Sequence, residues 1–370
     1  MEAPEYVWKG AIPLQIHLHE ADVTALPPPP PLLILAPRVG YLPLLIPHVK
    51  PHFGGALPPP PGVDTVWFEY NGLPLKWFIP TGVLFDLLCP EPQRPWNLTV
   101  HFRGYPSNVL VPCEGEDSVK WSFINSLKEA AYIINGNCKN VMNMSQSDQS
   151  ELWQSVTNGD LEAYRQVSLK LKLGVLEDEY IVKKNSISLR SKESSADTDM
   201  AGQAKTGRIP VRLYVCSATE DFDELEDAPE IDSWDKISYI NHPVEVLKEE
   251  GKCFTLGDAV KALLPEIFTD KSFIEEDVSK TEVEDDKNAP CVSQEDNQDA
   301  RGSAEERTEK NCEAVEPHSS SNTAELKLLR IHGIEPKLEL PFSWVVNNLM
   351  HPEHFLHICV FIKVAHANPR

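Results

Sequence analysis

Two widely separated stretches of this chain carry the same pattern, and together they bracket most of its length. Ile12-Pro13-Leu14-Gln15-Ile16-His17-Leu18 lies against Ile209-Pro210-Val211-Arg212-Leu213-Tyr214-Val215, with Gly10 opposite Gly207. Farther on, WFEYNGLPLKWFIP from Trp67 to Pro80 lies ungapped against LLRIHGIEPKLELP from Leu328 to Pro341, so Gly72 meets Gly333, Lys76 meets Lys337 and Pro80 meets Pro341. After each proline comes a short apolar helix candidate ending at Leu88 or Leu349, then an alternating strand, NLTVHF from Asn97 or FLHICVFI from Phe355. Two copies of one small domain account for this recurrence.

The copies differ in length for a visible reason. From the first isoleucine to the paired glycine is 60 residues in the first copy and 124 in the second. Thr269 to Glu325 holds 57 residues with 17 acidic and 6 basic side chains and no aromatic after Phe273. Such a segment buries too little apolar surface to offset its ordering entropy, so it reads as a disordered acidic insertion at 269–325. It carries half of the net charge of −22. The remainder is only moderately acidic, and no general affinity for nucleic acid is expected, although a local basic patch stays open.

At 370 residues the chain has room for two or three domains. Its eight cysteines include no CxxC pair. That fits reduced thiols in the cytosol better than disulfides or a zinc site. The opening MEAPEYVWKG lacks the basic and apolar regions of a secretion signal. No apolar run approaches membrane-spanning length, so a soluble protein with at most peripheral membrane contact is expected.

Within the first copy, Ile12–Leu18 and Leu32–Leu35 read as a hairpin joined by a loop holding Pro27 to Pro31, a stiff surface loop or an SH3-type ligand. Tyr41, Leu44, Leu45 and Val49 have helical spacing, weakened by Pro43 and Pro47. Val66–Tyr70 and Leu75–Ile79 read as a second hairpin across Asn71-Gly72. The order strand, strand, helix, strand, strand, short helix, strand is that of the ubiquitin-like β-grasp fold. The second copy repeats it with strands from Ile209 and Leu326 and a helix Leu256–Leu264, its acidic loop Glu220 to Asp235 being the least regular part.

Between the copies, Asp117 to Leu173 has helical periodicity and no strand pattern. Trp121, Ile124, Leu127, Ala131 and Ile134 form one apolar stripe, Leu152, Trp153 and Val156 begin another, and Asp160 can cap a helix carrying Tyr164, Val167 and Leu171. The chain is therefore expected to be α+β, with two ubiquitin-like β-grasp domains flanking a small helix-rich domain. The expected boundaries are an N-terminal segment 1–11, a first ubiquitin-like domain 12–104, a helix-rich domain 105–173, a flexible Ser-rich tether 174–207 and a second ubiquitin-like domain 208–370.

Candidate chemistry is sparse. Ubiquitin-like modifiers present a carboxyl-terminal glycine, whereas this chain ends His366-Ala367-Asn368-Pro369-Arg370, so it is not expected to be a processed modifier. Cys113 and Cys138 flank the first middle helix and offer a cysteine-dependent transferase reading, although neither has a histidine nearby in sequence. His351, His354 and His357 have a tempting metal spacing, but Pro352 interrupts a regular helix, and three solvated or half-buried histidines are expected. No cofactor motif is present, and no cofactor or metal is expected. Lys128 falls between Trp121 and Ile124 on the apolar stripe. Either its stem snorkels, or it is presented as a nucleophilic amine. In the second case it needs help with deprotonation, because a lysine of ordinary pKa is neutral in less than roughly one part in a thousand at pH 7.

Taken together, VWFEYNGLPLKWFIPTGVLFDLL (Val66–Leu88), PWNLTVHF (Pro95–Phe102), SLKEA (Ser126–Ala130), IHGIEP (Ile331–Pro336) and FLHI (Phe355–Ile358) resemble the autophagy protein 5 family, its plant members in particular. The resemblance implies the same arrangement of two ubiquitin-like domains around a helix-rich one. It implies that Lys128 accepts the carboxyl-terminal glycine of the ubiquitin-like autophagy modifier twelve as an isopeptide, delivered by dedicated activating and conjugating enzymes. The conjugate would bind the coiled-coil autophagy protein sixteen and act as an E3-like factor, promoting transfer of a second ubiquitin-like protein, number eight, to phosphatidylethanolamine. This activity would be cytoplasmic and recruited to the forming autophagosomal membrane, with no catalytic residue in this chain. The alternatives are a non-conjugated ubiquitin-like adaptor and the cysteine-dependent transferase.

Overall fold

Alternation from Ile12 onward puts Ile12, Leu14 and Ile16 on one fully buried face of a strand, as a period of two requires. The computed structural model describes residues 2–57, 65–174, 206–218, 230–246, 253–265 and 324–364. A first helix, α1 (Ala3–Lys9), precedes β1 (Ala11–Leu18), β2 (Leu32–Pro37), α2 (Ile46–Phe53), β3 (Trp67–Tyr70), β4 (Leu73–Pro74), α3 (Thr81–Leu88) and β5 (Trp96–His101). The sheet order is β2-β1-β5-β3-β4, with β5 returning parallel to β1 between it and β3. This is the β-grasp arrangement, and α2 buries Val49 and Phe53 in its core.

Residues 116–174 form the helical domain: α4 (Glu116–Asn135), α5 (Lys139–Met142), α6 (Gln146–Asn158) and α7 (Leu161–Leu171). Ser145 and Asp160 cap α6 and α7 by accepting the N–H groups of Asp148 and Ala163. The second copy follows as β6 (Arg208–Ile209), β7 (Val211–Ala218), β8 (Ile237–Asn241), β9 (Val244–Glu245), α8 (Leu256–Leu263), β10 (Ala324–Arg330), α9 (Phe342–Leu349) and β11 (Leu356–Val364). Its sheet order, β10-β11-β7-β8, repeats β3-β5-β1-β2, again with a parallel central pair. A capping box between Thr255 and Asp258 starts α8.

The repeated turn is conserved between copies down to its dihedrals. Asn71-Gly72 and His332-Gly333 both have positive φ at each residue, 47° and 82° against 53° and 75°. Two consecutive positive φ values are what a type I′ hairpin turn needs. Pro80 and Pro341 likewise both stand at the N-caps of α3 and α9.

Several expectations change. The second hairpin of the first copy closes with Leu73–Pro74, not Leu75–Ile79. After Leu75 donates to Phe68 O, a turn from Lys76 to Ile79 swings the chain into α3. Pro210, which lacks an N–H, splits the first strand of the second copy into β6 and β7, and β6 pairs with β9 in a separate ribbon. Ala324 and Glu325 belong to β10, where they pair with Val364 and Lys363, so they are not part of an insertion. The rest of that insertion, the tether at 175–205 and 220–229 of the acidic loop lie outside the described residues. The N-terminal segment is helical: Val7 and Trp8 are buried, and Trp8 packs at 4.7 Å on Tyr164 of α7.

The copies differ in what covers them. Helix α9 is amphipathic, with Ser343, Trp344 and Asn347 facing water. Helix α3, by contrast, is buried at all eight residues, because the second sheet packs across it. On that sheet Val211, Leu213 and Val215 face the core shared with the helical domain, while Tyr214, Cys216, Cys359 and Phe361 join the core of the first domain. A sheet buried on both faces explains the nearly continuous apolar run of β11.

One charged group stands in α3. Asp86 pairs with Arg38 at the end of β2 and accepts the Gly333 N–H at 2.7 Å, joining the first domain to the repeated turn of the second. Burial pushes the Asp86 carboxyl up, and the Arg38 guanidinium opposes that. Asp86→Ala strands a buried guanidinium and is expected to cost about 3–5 kcal/mol in denaturant unfolding. Glu5→Ala, which breaks the exposed Lys9–Glu5 pair, is expected to cost less than about 1 kcal/mol. Equal losses would contradict this account of the interface.

Candidate functional site

Helix α4 is built to be held along one side and open along the other. Acidic Glu116 and Asp117 occupy its first turn, where the helix dipole favours them, and Gly136 at φ 69° closes its end. Its inner face buries Val119, Phe123, Leu127, Ala130 and Ile134. Phe123 packs on Trp153 at 5.7 Å, and Trp153 Nε1 donates to Glu116 at 2.6 Å.

Trp121, expected on the apolar stripe, lies outside it and is 59% exposed. The buried line runs instead through Val119, Phe123 and Ile124, so Trp121 shares the opposite face with Asn125, Lys128 and Tyr132, the last 64% exposed. Lys128 sits mid-helix on that outward face, seven residues after one exposed aromatic and four before the other. It is half-buried, and its Nζ reaches Asn125 Oδ1 at 3.4 Å. Among the described residues it has no ion pair.

The residue after Lys128 ties the helix down. Glu129 accepts from Arg212 Nη2 at 3.0 Å and from Asn241 Nδ2 at 2.7 Å, linking α4 to β7 and β8. Arg212 also donates to Ser126 Oγ at 3.2 Å and to Glu353 Oε1 at 2.5 Å, and it stacks 3.8 Å from the Phe355 ring. Glu353 accepts further from Tyr41 Oη of the first domain at 2.9 Å. The three domains therefore meet on one largely buried arginine and one buried carboxylate. Beside this junction lies a cavity of about 380 Å³, lined by Lys76, Ser122, Ser126, Arg212 and Trp234.

In the HPEHFLH segment His354 is half-buried, within the expectation, whereas His351 and His357 are buried rather than solvated. His351, Glu353 and His357 are brought together, whereas His354 packs separately against Ser168 and Tyr164. His357 Nε2 lies 2.8 Å from Glu353 and its Nδ1 3.2 Å from Tyr214 Oη. A carboxylate only accepts, so His357 donates from Nε2 and accepts the Tyr214 O–H at Nδ1. The Arg212 guanidinium is the cation paired with Glu353. That cation and the hydrogen bonds to His357 hold Glu353 well below the usual carboxylate range against the penalty of burial. Burial pulls His351 down to about 3 and also lowers His357.

Cys113 and Cys138 are both half-buried at opposite ends of α4. Burial raises the Cys113 thiol, the reverse of what a thiolate nucleophile needs. No helix among the described residues is long and apolar enough to cross a membrane.

Comparison with known proteins fits this three-part arrangement. Family models described as Autophagy protein ATG5, UblA domain, alpha-helical bundle region and UblB domain match residues 7–102, 116–174 and 208–360. The chain belongs to the autophagy protein 5 family. It is 61% identical over 362 residues to Autophagy protein 5 of Arabidopsis thaliana, covering 98% of both chains. It is 52% identical over 379 residues to Autophagy protein 5 of Oryza sativa subsp. indica, covering 100% of this chain and 96% of that one. The crystal structure of Kluyveromyces marxianus Atg5 has the same fold, with a TM-score of 0.58 at 17% identity over 96% of this chain and 98% of that one.

Sequence reasoning singled out Lys128 as a candidate and missed the Arg212–Glu353 junction. The available signal was Arg212 itself, a charge at the position where the first copy has Gln15.

The buried histidines set a pH dependence. His351 titrates near 6.5 in the unfolded chain and near 3 when folded, so below pH 6.5 the unfolded state binds more protons. Its contribution is fully present above about pH 6.5 and is lost as pH falls toward 3, at up to about 1.4 kcal/mol per pH unit. Unfolding midpoints at pH 7.5, 6 and 5 are expected to fall in that order, and His351→Gln to flatten the slope. A midpoint that rises on acidification contradicts the reading.

Proposed function

We propose that this chain is an autophagy conjugation scaffold whose Lys128 accepts a ubiquitin-like modifier through an isopeptide bond. The observation that carries this reading is the placement of Lys128. Its amine lies on the outward face of a helix whose inner face is buried and whose neighbouring Glu129 is bolted to the second ubiquitin-like domain. An acceptor amine must meet an enzyme-bound thioester in a fixed orientation, and a rigid helix supplies that orientation before the encounter. The exposed Trp121 and Tyr132 on either side give an approaching protein apolar surface to rest on.

In this reading the activating and conjugating enzymes supply the covalent chemistry, and the chain supplies position. The bond formed joins Lys128 Nζ to the modifier's terminal carbonyl, with the conjugating enzyme's thiol as leaving group. Transfer requires the ammonium to lose a proton to a group of the incoming enzyme. The conjugate, with a coiled-coil partner, then acts as an E3-like factor for lipidation of a second ubiquitin-like protein on phosphatidylethanolamine. It works in the cytoplasm and is recruited to the forming autophagosomal membrane.

Lys128→Arg keeps charge and helix propensity but removes the primary amine. In a reconstituted conjugation system it is expected to abolish the higher-mass covalent species on a denaturing gel, whereas Lys120→Arg on the same helix leaves that species unchanged. A tryptic branched peptide spanning Lys128 locates the bond. Persistence of the conjugate in Lys128→Arg rules out this site, and normal autophagic flux without any conjugate favours a simple adaptor.

A further inference from the structure

Helix α4 carries a polar residue that its own stability does not call for. Asn125 lies mid-way along the helix on the exposed face, three residues before Lys128. Asparagine is a poorer helix former than alanine, leucine or lysine, because its side chain competes with the helix for nearby backbone groups. Among the described residues its side chain makes no backbone bond. Its Oδ1 accepts instead from Lys128 Nζ at 3.4 Å, and that is the one hydrogen bond either side chain makes there.

No carboxylate of the chain competes for this amine. The residues one turn away from Lys128 on α4 are Ile124, Asn125, Ala131 and Tyr132, none of them acidic. The adjacent acid, Glu129, is turned to the flank of the helix, where Asn241 Nδ2 holds its Oε1 at 2.7 Å and Arg212 Nη2 holds its Oε2 at 3.0 Å. Both of its oxygens are thereby committed to the second ubiquitin-like domain. An ion pair would orient a lysine equally well, but a carboxylate also favours the charged form of its partner. The carbonyl of an asparagine accepts the same N–H and bears no net charge, so it fixes the amine with less resistance to deprotonation.

We infer that Asn125 is a positioning residue for the acceptor amine, holding Lys128 Nζ on the outward face of α4 without a carboxylate beside it. This rests on Lys128 being the acceptor. The ammonium first gives one proton to a base of the conjugating enzyme. The neutral amine keeps one N–H on Asn125 Oδ1 and presents its lone pair to the thioester carbonyl. The C–N bond forms, the C–S bond breaks, and the second proton passes from the nitrogen to the departing cysteine sulfur. A held amine meets the carbonyl in one orientation, which raises the rate of the chemical step and leaves the affinity between the two proteins unchanged.

The test discharges a preformed thioester of the conjugating enzyme and modifier onto the full chain in single turnover, with chain concentration varied. Asn125→Ala is expected to lower the maximal rate about tenfold at an unchanged half-saturating concentration. Alanine favours the helix, so the melting temperature should not fall, and the loss cannot come from damage to α4. Asn125→Gln, which restores an amide carbonyl, should recover most of the rate. Asn125→Asp should discharge more slowly than the parent at neutral pH, with its rise in rate displaced to higher pH. A parental rate in Asn125→Ala, a loss confined to the half-saturating concentration, or a faster Asn125→Asp overturns the inference. If Asn125→Ala forms the Lys128 branched peptide at the parental rate, this inference alone fails. A branched peptide on another lysine removes the acceptor reading and this inference with it.

Discussion

The guanidinium of Arg212 holds the three parts of this molecule in one arrangement. It is largely removed from water and lies between Glu353 and Glu129, with Ser126 on one side and the Phe355 ring beneath it. Desolvating such a group costs several kcal/mol unless its donors are met, and here both terminal nitrogens are. Its acceptors lie on α4, through Ser126 and Glu129, and on the segment before β11, through Glu353, so satisfying the charge and assembling the domains are the same event. Tyr41 on Glu353 extends the junction into the first domain. Helix α4 acquires a fixed pose relative to both ubiquitin-like folds, and its outward face is presented rather than free to turn.

Duplication supplied the parts, and divergence at a few positions made them unequal. The first strands align without a gap, yet Gln15 of one copy is Arg212 of the other. The same β-hairpin turn recurs with the same dihedrals, yet the Gly333 N–H reaches into the other domain to Asp86. Helix α3 has given up its solvent face to the second sheet, while α9 keeps one. The outer side of β2, with Leu33 and Leu35 exposed, remains uncovered. One β-grasp domain has become the inner partner, sealed on both sheet faces, and the other retains an open surface.

Much of this was legible because it is periodic. The alternation at Ile12 and Ile209, the Asn-Gly turn and the cap at Asp160 are local signals, and local geometry answers to them. Lys128 was legible as a cation in a mostly apolar helix, although its face was misread. Trp121 was counted with the stripe on hydrophobicity alone, while packing against Trp153 selected Phe123 instead. The HPEHFLH segment was misread for a related reason. His351 and His357 are buried, and Tyr41, Arg212 and Tyr214, which lie far away in sequence, close over Glu353 and His357. Charges in apolar segments, Asp86 in α3 and Arg212 in β7, were the visible traces of these junctions, but a single sequence does not name their partners.

Hydrogen–deuterium exchange on the parent chain and on Arg212→Met addresses the junction most directly, since protection reports the local free energy of opening. If Arg212 couples the domains, amides of 122–130 in α4 and of 350–357 before and within β11 should lose protection together. Those of β1 and β5 in the first domain should stay as they were. Loss confined to β7, with α4 unchanged, would contradict the claim that this arginine positions the helix bearing Lys128.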